Sequence, residues 1–176
     1  MNIQWKRQVM RLTLAAMLTS MSVVIGIFCK NYLNFGGGLF RITFENLPIL
    51  LSGILLGPFY GVAVGAASDL LSYIFSAQIY PPNLLVTCGA MAVGLVAGFI
   101  SRVMIKQRGY AQIIVSGALA HLIGSMILKP IGLYEFYGAL VLWRIPMYLV
   151  IAPLEITLLC MLYRRKSFRR LMDKTL

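Results

Sequence analysis

The sequence predicts an all-α integral membrane protein of six transmembrane helices, both termini cytoplasmic, forming a single domain over residues 1–176. Three observations predict it. The 176 residues are 60% hydrophobic and 12% charged, with a mean hydropathy of +0.84, where a soluble domain averages about 25% charged residues. Apolar stretches recur at bilayer length, roughly 20 residues per crossing, and six of them leave only short loops and tails. Twelve of the sixteen Lys and Arg residues fall in three clusters, at Lys6, Arg7 and Arg11, at Arg102, Lys106 and Arg108, and at Arg164, Arg165, Lys166, Arg169, Arg170 and Lys174. An even number of crossings separates the clusters, so the positive-inside rule puts all three in the cytoplasm.

The first helix is expected over about 8–29, too long and too poor in small residues at its end for a cleaved signal peptide. Residues 30–42 form an outer loop with the run Gly36-Gly37-Gly38, a segment able to turn tightly. A second, short helix runs from about Thr43 to Leu56 and is broken by Gly57-Pro58. The third follows at once to about Phe75. Pro81-Pro82-Asn83 marks a turn, with Asn83 as N-cap of a fourth helix that ends near Ile105. After the basic loop 102–109, a fifth helix is expected over about 110–128, stopped by Lys129-Pro130. The sixth is expected over about 138–163, bent at Pro146 or Pro153.

The net charge of +11 belongs to the flanks of apolar spans. Attraction to anionic lipid accounts for it, and no nucleic acid partner is expected. Cys29, Cys88 and Cys160 are far apart, without metal-ligand or redox spacing, and read as small buried residues. No phosphate-binding glycine loop, zinc-hydrolase motif or nucleophile elbow occurs, so no enzyme, cofactor or metal site is expected.

Charges inside a bilayer are costly and mark candidate sites. Asp69 falls roughly 15 Å into the third helix at 1.5 Å per residue, on one face with Gly65, Ser72, Tyr73 and Ser76. Arg144 falls about 9 Å into the sixth, with Tyr148, Ile151 and Glu155 along the same stripe. Their similar depth leaves open a mutual pair or two ligand contacts. His121, beside Gly117, Gly124 and Ser125, is open between a helix–helix hydrogen bond and a ligand contact. Lys30, Arg41 and Lys129 join Arg144 as a positive outer rim, with Glu45 and Glu135 as nearby acids. Trp143 and several tyrosines lie at that level, either as an interfacial belt or as walls for a flat ring. Gly61 and Gly65, then Ala90, Gly94 and Gly98, then Ala15 with Thr19 and Ala16 with Ser20, are small residues at four-residue spacing. They suit close packing inside the bundle or, on the first helix, against a partner.

Four stretches carry a family resemblance: Arg11 through Ile25 around Ala15-Ala16; Phe40-Arg41-Ile42-Thr43-Phe44 leading to Leu47-Pro48, Gly53 and Gly57-Pro58; Gly61 to Asp69-Leu70; and Arg144-Ile145-Pro146 through Pro153 and Glu155. In order and spacing the chain resembles the substrate-binding (S) components of energy-coupling-factor (ECF) vitamin transporters, most closely the folate group. The resemblance implies a vitamin site near the outer face of the plasma membrane, under loops 30–42 and 76–83. It also implies a transmembrane coupling protein met by Ala15, Ala16, Thr19 and Ser20, and two ATPase subunits that supply energy. The positive rim favours an anionic, folate-like vitamin, with pantothenate as an alternative and thiamine as a poor fit. On this reading Lys30, Arg41, Lys129 or Arg144 hold carboxylates, Trp143, Tyr73 and Tyr148 border the ring, and Asp69, Asn83 or His121 bond to it. The rival function is a stand-alone transporter with Asp69, His121 and Glu155 as a proton path.

Overall fold

The computed structural model describes residues 3–35, 40–76, 83–104 and 109–175. Helix α1 (Ile3–Tyr32) is 30 residues long and carries Lys30 in its last turn. A minimal antiparallel pair follows, β1 (Asn34–Phe35) and β2 (Phe40–Arg41), with Asn34 opposite Arg41. Then come α2 (Asn46–Leu56), α3 (Pro58–Phe75) and α4 (Leu84–Phe99), the last extended by a π-helical turn to Met104. Helix α5 (Tyr110–Ala120) passes through a π-helical stretch, His121–Leu128, into α6 (Lys129–Tyr137). A 3-10 turn, Gly138–Trp143, leads into α7 (Arg144–Arg164), and α8 (Lys166–Thr175) closes the chain. By length and composition three runs can each cross a membrane, Gln4–Tyr32, Leu84–Val103 and Tyr110–Arg164. The last holds 55 residues and doubles back, since Gly117 of α5 abuts Ile156 of α7.

Two boundaries differ from expectation. Lys129-Pro130 does not stop the fifth helix, because proline at the first or second position of α6 fits the helix it opens. The chain reverses instead at Gly138, whose φ of 55° suits a residue without Cβ. Arg144 therefore starts α7 rather than lying two turns inside a helix. The C-terminal basic cluster is itself helical. α8 turns Met172 into the core, with Phe168 and Leu171 packed against it, while Arg164, Arg165, Lys166 and Arg170 stay exposed. Arg169 lies over the Tyr163 ring at 4.8 Å and donates to the Tyr163 carbonyl at 3.0 Å.

Small residues set the spacing of α2, α3 and α4. A Cβ on Gly94 would come 2.1 Å from the Gly61 carbonyl oxygen, and one on Gly53 2.4 Å from the Gly94 carbonyl oxygen. Backbones this close give dispersion contact along the whole crossing, the main attraction between helices in lipid. At the α2–α3 corner Gly57 has φ 103°. The Arg102 guanidinium packs over it and donates to the Leu55 carbonyl at 3.3 Å, a cation at the negative end of α2. The apolar core, including Leu18, Ile54, Leu55, Ile113, Leu159 and Met172, fills the end of the bundle beside α8. Polar side chains collect towards the other end.

Candidate functional site

The polar end is built from residues that reach inward out of apolar helices. The π-helical stretch carries His121 and Ser125, and Lys129 follows as the first residue of α6, four positions apart each time. All three are buried, Lys129 to 4% exposure. Gly89 of α4 lets the lysine pass, because a Cβ there would lie 2.6 Å from Lys129 Cγ. Lys129 Nζ then donates to Asn46 Oδ1 at 2.8 Å and reaches Glu45 Oε1 at 3.5 Å. Asn46 Nδ2 donates to Ser125 Oγ at 3.4 Å. Ser125 Oγ lies 3.3 Å from His121 Nδ1, and His121 Nε2 lies 2.8 Å from Glu155 Oε2 on α7. An unbroken line of polar contacts thus joins α2, the π-helical stretch, α6 and α7 in a region without bulk water, where each charge needs such partners.

Glu45 also faces the other way, into a narrow cleft between α1, α2, α3 and α4. Its walls are close together and leave no room for a water-sized group in this structure. Ser22, Glu45, Ser68, Asp69 and Ser72 supply its polar lining, Ile49 and Ala90 its apolar lining. Ser22 Oγ donates to the Glu45 carbonyl at 2.7 Å, and Thr87 Oγ1 donates to Asp69 Oδ2 at 2.7 Å. Gly26 of α1 borders the cleft; a Cβ there would come 3.0 Å from both Glu45 Oε2 and Ser72 Oγ.

The residues expected to form a site are only partly brought together. Asp69 lines the cleft, and Lys129 and His121 belong to the adjoining line of contacts. Lys129 is no rim charge; it is the buried cation of the polar end, because Gly89 opens a way inward. Arg144 lies half-buried at the start of α7, its Cζ 5.5 Å from the Tyr137 ring centre. Asp69 has Thr87 as its hydroxyl partner. Asn83 Oδ1 accepts from Leu85 N at 2.9 Å, and its Nδ2 donates to the Gly132 carbonyl, so its side chain caps α4 and ties it to α6. Tyr73 is half-buried and Tyr148 buried. Trp143 is 60% exposed on the outside of the bundle, where it cannot wall an interior pocket. Lys30 is half-buried in the last turn of α1. The Arg41 side chain and residues 36–39 and 77–82, expected over the site, lie outside the described residues. Ser22, Asn46, Ser68 and Thr87 were not foreseen. A lone small polar residue in an apolar helix gives no pattern, and only the packing reveals that Thr87 meets the Asp69 carboxylate, Ser22 the Glu45 carbonyl and Asn46 the Lys129 ammonium, while Ser68 lines the cleft.

On α1, Ala15 is buried and Thr19 partly so, while Ala16 and Ser20 face outward. Thr19 and Ser20 hydroxyls bond back to the Ala15 and Ala16 carbonyls at 2.9 and 3.0 Å. Only one of the two expected pairs is thus available to a partner.

A helical membrane domain with ionisable groups gathered at one end suits a subunit that handles a polar solute. Among the described residues no cluster of His, Cys, Asp and Glu is suited to a metal ion. Residues 10–164 match the family model for the ECF transporter, substrate-specific component, and the chain belongs to that family. It is therefore an integral protein of the plasma membrane and not an enzyme, of a family that binds vitamins and works with an energy-coupling module. Three solved structures share its fold. FolT bound with folic acid is 20% identical, with a TM-score of 0.61 over 82% of this chain and 89% of that one. The S component of a bacterial ECF transporter is 20% identical, with a TM-score of 0.64 over 91% and 96%. The S component for biotin from an ECF-type ABC transporter is 19% identical, with a TM-score of 0.65 over 98% and 99%. An uncharacterized protein of Mycoplasma pneumoniae is 29% identical over 105 residues, 60% of this chain. The chain spans 21% of the length of that relative.

Proposed function

We propose that this chain captures a folate-like, anionic vitamin at the outer face of the membrane and hands it to an energy-coupling module. That module would comprise a transmembrane coupling protein and two ATPase subunits. The observation that carries the reading is the gathering of buried Asn46, His121 and Lys129 with half-buried Glu45 and Asp69 at the end of the bundle away from the basic clusters. Membrane domains bury such groups where a polar solute is handled. Lys30, Arg41 and Arg144 belong to the same end and suit carboxylates of an anionic substrate. FolT bound with folic acid and the S component for biotin share the fold alike, so the choice of folate rests on the positive rim.

The test is titration of the purified protein with folic acid, biotin and pantothenate, followed by uptake into proteoliposomes. Folic acid is expected to bind tightest, and uptake is expected only when the coupling protein, ATPases and ATP are present. Uptake by the chain alone, driven by a proton gradient, would instead establish the stand-alone transporter. Pantothenate as the tightest ligand would reassign the substrate.

A further inference from the structure

The positive rim accounts for the anionic end of a substrate and leaves the cleft unexplained. Its polar lining is rich in acceptors: two carboxylates, Glu45 and Asp69, and the hydroxyls of Ser22, Ser68 and Ser72. Two of its groups are under-used. Ser68 is 3% exposed, and its Oγ has no hydrogen-bond partner among the described residues. Asp69 has one neutral hydroxyl, Thr87, as its polar partner among the described residues. A carboxylate accepts up to about four hydrogen bonds, so Asp69 retains acceptor capacity facing the cleft. Buried polar groups in native proteins are rarely left short of partners unless something else completes them.

We infer that the cleft receives the N–H-bearing edge of the substrate, with Asp69 and Glu45 as acceptors and Ser68 as an added contact. This rests on the vitamin-binding reading and narrows it. The substrate would be a heterocycle with two or more N–H donors along one edge and a carboxylate at the far end. The cleft leaves no room for a water-sized group in this structure, so an arriving amino edge has to displace its lining side chains. Glu45 is the member able to change partners, since Lys129 Nζ is 3.5 Å from its Oε1 while its Oε2 lies beside Gly26. A donor arriving in the cleft would share Glu45 with Lys129, linking occupancy to the buried line that ends at Glu155. Pantothenate has no such ring edge; the pterin of folic acid and the ureido ring of biotin do.

The experiment compares folic acid with the analogue in which the ring amine is replaced by hydrogen, which leaves one ring N–H on that edge, on the wild type and on Asp69→Asn and Ser68→Ala. Because the readout is a ratio of two affinities within one variant, partial unfolding does not mimic it. Wild type is expected to prefer folic acid by roughly ten- to a hundredfold, the worth of a hydrogen bond to a charged group. Asp69→Asn is expected to erase most of that preference, and Ser68→Ala a smaller part. A wild type that binds both ligands equally, or an Asp69→Asn that weakens both alike, would overturn the cleft assignment and leave the vitamin-binding reading standing. If folic acid does not bind but biotin does, and Asp69→Asn weakens it tenfold, the cleft assignment holds with another substrate. Binding of pantothenate alone overturns the cleft assignment, and binding of none of the three overturns both.

Discussion

Lys129 shows how far one residue's setting departs from its sequence position. Placed before a proline at the end of an apolar stretch, it reads as an edge charge free to reach water. The missing side chain of Gly89 lets its stem cross α4, and its ammonium ends between Asn46 and Glu45. Taking a charge out of water costs several kcal/mol, and the partners offset this only together. Lys129→Met should therefore destabilise the protein by about 1–3 kcal/mol, since it removes the donor to buried Asn46 and the cation beside half-buried Glu45. Thermal unfolding in detergent checks this; a variant as stable as wild type would mean that Glu45 finds another partner. Arg144, with an aromatic ring beneath it at the start of α7, is the less demanding charge of the two. The burial of His121 and Glu155 and the inward turn of half-buried Asp69 were legible because ionisable residues in apolar stretches must turn inward. Which of them meet was not, because pairing depends on how helices rotate about their axes.

Helices divide along the same line. Alternation of apolar runs with Gly-Pro and Pro-Pro breaks made α1 to α4 readable, and their small residues suited close packing, which the structure realises between Gly61 and Gly94. The end of the fifth helix and the start of the last were misplaced, since Lys-Pro can open a helix as well as end one. α8 was invisible as a helix because its basic residues read first as a topology signal. Helix α1 carries the sharpest consequence at this scale. Its small residues form two pairs about 100° apart around the axis, and only Ala16 and Ser20 look outward. Ala16→Leu with Ser20→Leu should leave vitamin affinity within about twofold, because these positions lie outside the bundle, where substitutions rarely shift stability much. The same pair should cut module-dependent uptake at least tenfold if this face meets the coupling protein. Ala15→Leu should act differently, lowering stability by about 1–3 kcal/mol through overpacking. Affinity, uptake and melting point measured side by side separate the two faces; equal uptake in both outward variants and wild type would remove α1 from the coupling contact.

Across the whole molecule, charge and polarity are sorted to opposite ends. Arg11, Arg102 and the arginines around α8 sit at the apolar-core end, and Arg11 and Arg102 are close enough to repel each other. The cleft and the Lys129 line occupy the other end. Each Lys or Arg beside an anionic cytoplasmic leaflet contributes about 1 kcal/mol, so the collar of exposed cations on α8 and its neighbours strongly favours one insertion. The amphipathic α8 suits the same place, since a helix with one apolar face and one cationic face lies in the interface plane. The expected orientation therefore puts α8 in the cytoplasm and the cleft at the outer face, where a captured vitamin would arrive. Ser167→Cys and Tyr32→Cys, each in a background with Cys29, Cys88 and Cys160 replaced, test this with a membrane-impermeant maleimide. Both positions are exposed, at opposite ends of the bundle. Cysteine at 167 should label only in inverted vesicles and cysteine at 32 only in right-side-out ones. The reverse pattern would place the cleft on the cytoplasmic side and remove uptake as its purpose.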